Sequence, residues 1–193
     1  MGFNPVSKAA GASTSGEMTR ALGEGALTTN NPGAGSSGAA RARTDFMLLA
    51  LAEAAKAGAR GEVPVGAVLV RGGTALAAEG NRMRELADPT AHAEMMVIRA
   101  AASVLGNDRL AECDLYVTLE PCTMCAGAIS FARLRRIYYG APDPKGGAVE
   151  NGVRFFSQAT CHHRPEAYGG LGERESAELL REFFAERRWP GKL

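Results

Sequence analysis

The chain has 193 residues, 46% of them apolar, with 22 Lys and Arg against 21 Asp and Glu, for a net charge of +1. This suits a globular domain, alone or with a tail, and excludes a chain too polar to bury a core. A near-neutral total also means that nucleic acid, if bound, must be met by a local basic patch.

Residues 1–43 differ from the rest. "GASTSGEM" and "TTNNPGAGSSGAARAR" are rich in Gly, Ser, Thr and Ala and have no sustained apolar period. They are expected to be a disordered extension, because too little apolar surface is available to offset ordering. Arg20, Arg41 and Arg43 leave room for a transit peptide, although a leader or an inert tail fits as well. The N-terminus lacks the continuous apolar segment of a secretory signal, and no apolar run is long enough to span a membrane.

The folded domain is expected over residues 44–193, with Thr44 or Asp45 capping a helix through "FMLLALAEAAKAGA". "VPVGAVLVRGG" reads as a buried strand and turn, with "TALAAEGN" as its hairpin partner ending at Asn81. A polar loop over 82–90 leads to a helix starting at about His92. "CDLYVTLEP" is a strand stopped by Pro121, "CTMCAGAISFARL" a helix and "RRIYYGA" a strand. Residues 142–152 form a Gly-rich loop, and "ERESAELLREFFAERR" is a final amphipathic helix. Strands alternating with helices argue an α/β layered fold.

Two stretches carry the chemistry, "HAE" at 92–94 and "EPCTMC" at 120–125. Taken alone, His92 and Glu94 suit a helix start for bland reasons of capping and dipole. Cys122 and Cys125 change the balance. They stand three apart on one helical face, at a helix opening that favours thiolate, the form that binds metal. In a regular helix His92 and Glu94 would point apart, but in the first turn both can face an ion lying off the helix end. His92, Cys122 and Cys125 give three ligands to Zn²⁺, where a structural site has four. The fourth position is then left for water, whose pKa zinc lowers to roughly 7, and Glu94 is the proton carrier beside it. Cys113, Cys161, His162 and His163 do not repeat the spacing, and "CHHRPEAYGG" has no assignable role.

HxE followed by PCxxC resembles the zinc nucleobase deaminases. "GEVPVGAVLV", "DPTAHAE", "LYVTLEPCTMCAGAI" and the late "FF" are similar to the bacterial tRNA-specific adenosine deaminases, over about residues 44–188. The resemblance implies a three-layer α/β/α, cytidine deaminase-like fold, with a central mixed sheet of about five strands flanked by helices. It implies a cytoplasmic homodimer with one Zn²⁺ per subunit that converts adenosine to inosine at the wobble position of a tRNA anticodon stem-loop. Residue by residue, it implies that His92, Cys122 and Cys125 hold zinc, that Glu94 moves protons and that Asn81 binds the flipped base. Asp143, Lys145, Phe184 and Arg188 are implied to contact anticodon-loop nucleotides. Pro142 and Met83 depart from residues that relatives carry.

Each of these further residues has a plainer reading. Asn81 and Asp143 suit turns, Leu180 and Phe184 fit a core stripe, and Arg187 and Arg188 suit a solvated helix end. The alternative function is a small-molecule deaminase of guanine or cytosine, which would share every zinc residue. A zinc-stabilised interaction module without turnover would need a fourth ligand and has no use for Glu94.

Overall fold

In the computed structural model, residues 36–188 are described, and they build a five-stranded mixed sheet with helices on its faces. The first helix, α1, spans Ser36–Ala59. It starts ahead of the Thr44 expected from the sequence, so residues 36–43 are helical and not part of a structureless extension. Ala and Arg in "GAARAR" are good helix formers, and propagation through them costs little. Thr44 does not cap; its hydroxyl donates back to the Ala40 carbonyl at 3.2 Å. The rest of the expected extension, residues 1–35, lies outside the described residues.

Met47, Ala50, Ala54 and Ala57 recur at helical spacing along α1 and are all buried. They lie on a hairpin of β1 (Gly66–Arg71) and β2 (Thr74–Gly80). Its turn is Gly72-Gly73, both at positive φ, as the right-handed twist of a two-residue hairpin requires. Gly66 and Gly80 are cross-strand partners. A side chain at Gly66 would run into the backbone of Ala50 and Ala54, and one at Gly80 would come within 2.9 Å of Ala57. These two glycines set the close approach of α1.

Next come α2 (Ala93–Leu105), β3 (Cys113–Leu119), α3 (Thr123–Ala132), β4 (Arg136–Ala141), β5 (Glu166–Tyr168) and α4 (Glu173–Arg188). The strand order is β2-β1-β3-β4-β5. β1 is antiparallel to β2 and β3, whereas β3, β4 and β5 run parallel. Side chains alternate between two cores. Ala67, Leu69, Leu115, Val117, Ile137 and Tyr139 join α2 and α3 on one face, while Val68, Val70, Tyr116 and Tyr138 meet α1 on the other. α4 packs on β4 and beside α1. β5 falls inside "CHHRPEAYGG", the segment left without an assigned role. It is three residues long and exposed throughout, so it carries no apolar alternation to read.

Candidate active site

β3 and β4 are parallel, so their C-terminal ends open on the same side of the sheet, where ligand sites in α/β folds form. There a cleft of about 190 Å³ is lined by Val63, Val65, Asn81, Met83, His92, Glu94, Leu119, Glu120, Cys122 and Asp143. His92 is the N-cap of α2, and Cys122 is the N-cap of α3. Both have extended backbone and make no side-chain capping bond, so imidazole and thiol remain free for the cleft. Cys125 is buried in the first turn of α3.

His92, Cys122 and Cys125 present ligand atoms that all lie within 4.8 Å of one another. Tetrahedral zinc with bonds of about 2.3 Å to sulfur and about 2.0 Å to nitrogen separates such atoms by about 3.5 Å. Nδ1 of His92 is 3.7 Å from the Cys122 sulfur and 3.6 Å from that of Cys125. The group therefore fits zinc in both chemistry and spacing. A hydrogen bond from Cys125 holds the Cys122 thiol down to about 4, and the same contact, with burial, pushes Cys125 up. One thiolate thus stands ready, and a cation would displace the remaining proton.

Glu94 is buried in the first turn of α2 and faces the same cleft as His92. Burial pushes its carboxyl above the usual carboxylate range. The expectation that the helix starts at about His92 with both side chains toward the cleft matches this geometry.

Asn81 is buried at the end of β2, and its Oδ1 accepts the backbone N–H of Ala93 at 2.8 Å. It therefore caps α2 from outside, in place of the side chain that His92 withholds. That bond fixes the orientation of the amide and leaves its NH₂ as a donor. Asp143 is in the lining too, with Oδ1 accepting from Lys145 N–H and Gly146 N–H, both at 3.0 Å. Asp143 thus forms the expected turn and also borders the cleft.

Lys145 and Phe184 are not among the residues that line the cleft. Lys145 is exposed, two residues beyond Asp143 on the loop. Phe184 is 42% exposed on α4, while Phe183 is the buried member of the pair. Arg187 stacks over the Phe183 ring at 3.5 Å and reaches the Gly61 carbonyl, two residues before Val63. Arg188 ends α4, and its side chain lies outside the described residues.

Sequence reading missed two buried acids. Glu62 accepts the N–H groups of Arg84 and Glu85 at 2.8 and 3.0 Å and so fixes the loop after Asn81. Glu120 lines the cleft itself. An acid closing the apolar run "LYVTL" directly before Pro121 was the available signal. The "CHH" segment is structural: Ser130 Oγ donates to the His163 carbonyl at 2.9 Å, and the His163 ring meets the Leu134 carbonyl. His162 is exposed.

Residues 40–141 match the model of the cytidine and deoxycytidylate deaminase zinc-binding region. The chain belongs to this family of zinc deaminases. The deaminase is 69% identical over 146 residues to the tRNA-specific adenosine deaminase of Agrobacterium fabrum, covering 76% of this chain and 96% of that one. It is similar, with a TM-score of 0.71 and 69% identity, to a structure from a study of A-to-I editing by tRNA:A34 deaminases at the wobble position of transfer RNA. That likeness covers 71% of this chain and 99% of the other. A guanine deaminase from Bacillus subtilis is similar at 31% identity and a TM-score of 0.50, over 77% of this chain and 96% of that one. The mixed five-stranded sheet is the cytidine deaminase-like fold expected from the sequence, and zinc is the cofactor of the deaminase.

Proposed function

We propose that the deaminase converts adenosine to inosine at the wobble position of a tRNA anticodon, by zinc-dependent hydrolysis. The observation that carries this reading is Glu94, buried beside the His92, Cys122 and Cys125 group in one cleft, in a chain that matches a tRNA-specific adenosine deaminase along 96% of that relative's length. His92, Cys122 and Cys125 hold the metal. Zinc, when bound, lowers the pKa of a water to roughly 7 and so supplies hydroxide at neutral pH.

Glu94 accepts the proton of the attacking water on a carboxyl oxygen and passes it to the adenine ring nitrogen as the oxygen bonds to C6. It then takes the remaining proton from the oxygen now on C6 and gives it to the amino group, which leaves as ammonia. The balance is adenosine and water to inosine and ammonia. Asn81 holds the base through its free amide NH₂. The base must leave its stack, which costs a few kcal/mol and least in a loop, where RNA already presents splayed bases. Asp143, Lys145, Phe184 and Arg188 contact the flanking nucleotides in this reading.

The test is to incubate the zinc-loaded protein with an anticodon stem-loop carrying wobble adenosine and, separately, with guanine, cytosine and adenosine. Inosine formed only in the stem-loop supports the proposal. Ammonia released only from guanine would replace it with the small-molecule reading, which the likeness to guanine deaminase keeps in the assay.

A homodimer belongs to the same reading. Phe131, on α3 behind the two cysteines, is 81% exposed and is the kind of apolar group that an interface covers. A cytoplasmic location also goes with tRNA editing. Among the described residues no helix is long and apolar enough to cross a membrane.

A further inference from the structure

Glu120 joins the end of β3 to Pro121 and Cys122, and its side chain is 2% exposed. Oε1 accepts the backbone N–H groups of Val149, Glu150 and Asn151 at 3.0, 2.8 and 2.9 Å. Oε2 accepts the backbone N–H of Asp143 at 2.9 Å and the Asn151 side-chain amide at 2.6 Å. A carboxylate offers about four lone-pair positions, so these donors occupy it fully. Glu94 and Glu120 line one cleft, yet Glu120 has no position left for a substrate proton.

What Glu120 does touch is the Gly-rich loop, at both of its ends. The same loop is tied to the zinc-ligand segment. Ala148 N–H donates to the Pro121 carbonyl at 2.9 Å, and Gly147 forms a β-bridge with Cys122. Gly147 leaves the space this needs, since a Cβ there would stand 2.6 Å from Glu120 Oε2. One buried side chain thus links β3, the start of α3 and the loop that brings Asp143 to the cleft.

We propose that Glu120 is a positioning residue for the substrate: its carboxylate holds loop 142–152 in the shape that presents Asp143 to the RNA strand beside the flipped base. This rests on the reading that RNA occupies the cleft. Glu120 acts through the loop and not on the reacting atoms, so its loss is felt in substrate capture. A residue that merely supported the fold would lower the amount of active enzyme and leave KM alone.

The experiment uses the zinc-loaded, full-length protein. Glu120→Gln keeps the volume but turns one acceptor into a donor facing N–H groups. Amide exchange at Asp143, Val149, Glu150 and Asn151 is expected to speed up. KM for the anticodon stem-loop is expected to rise about tenfold, the worth of a lost hydrogen bond to a charged group, with kcat and zinc content near those of the parent. Should Glu120→Gln fail to fold, Asn151→Ala removes only the side-chain donor and is expected to raise KM about threefold. An unchanged KM in the folded variant, with kcat falling in step with the folded or zinc-loaded fraction, overturns the proposal. A parent protein inactive on the stem-loop overturns the RNA reading, and this proposal with it, before any substitution is made.

Discussion

Two residues at the cleft can be separated from their structural duties. In the proposed mechanism Glu94 moves protons and does not bind metal. Glu94→Gln is therefore expected to keep its zinc and its fold while kcat falls by about 10²–10⁴, the usual contribution of general acid–base catalysis. Elemental analysis beside a rate measurement decides it, and loss of metal would make Glu94 a ligand instead. Asn81 combines a helix cap with a substrate donor. Asn81→Ala loses both and should cost about 1 kcal/mol of stability for the cap. Asn81→Asp keeps the oxygen that accepts from Ala93 but loses the NH₂. Its melting temperature is expected to stay near the parent's while kcat/KM drops. A parent-like kcat/KM would confine Asn81 to capping.

At the scale of elements, the zinc set was legible because its spacing is local. Two residues of HxE, and two cysteines one turn apart, can be recognised without knowing what they fold against. The helices and long strands were legible for a similar reason: Met47, Ala50, Ala54 and Ala57 mark a buried stripe by period alone. Glu120 and Glu62 were not legible, since the donors they satisfy lie 22 to 31 residues away in sequence. β5 was not legible, because its three residues are all exposed and the partners of Glu166 and Tyr168, Arg136 and Tyr138, lie 30 residues back in β4. The start of α1 was misplaced because Gly and Ser richness outweighed the helix-forming Ala and Arg beside it.

The hairpin glycines make a testable contrast at this scale. Gly66→Ala must push the α1 backbone away from β1, and overpacking of this kind costs typically about 1–3 kcal/mol, sometimes more. Gly127→Ala lies inside α3 with its nearest neighbour, a ring carbon of Phe155, at 4.0 Å. It should be neutral or stabilise by up to about 1 kcal/mol, because alanine favours the helix. Denaturant unfolding of the two variants is expected to move in opposite directions or differ by the full cost of the clash; equal midpoints would refute the close-approach argument.

For the whole molecule, a net charge of +1 gives no general pull on RNA, so recognition must come from local groups at the cleft. If α3 forms the interface, Phe131→Glu is expected to turn a dimer into a monomer by light scattering while zinc content is kept. A variant that stays dimeric would move the interface elsewhere. The composition of residues 1–35 gives them little apolar surface to bury. Their removal is therefore expected to leave kcat/KM on the stem-loop unchanged, and a large drop would assign them to the RNA site.

The margins of the cleft are fastened from beneath, the 84–85 side by Glu62 and the 143–151 side by Glu120. Ordering a residue's backbone costs about 1–2 kcal/mol in lost freedom, and here that loss is taken when the chain folds, not when a ligand arrives. An incoming strand meets a rim already in shape, and its affinity is not diminished by loops that must first settle. The heat-capacity change of binding should then match the apolar surface that the two partners cover, without the larger value that accompanies a segment folding as it binds.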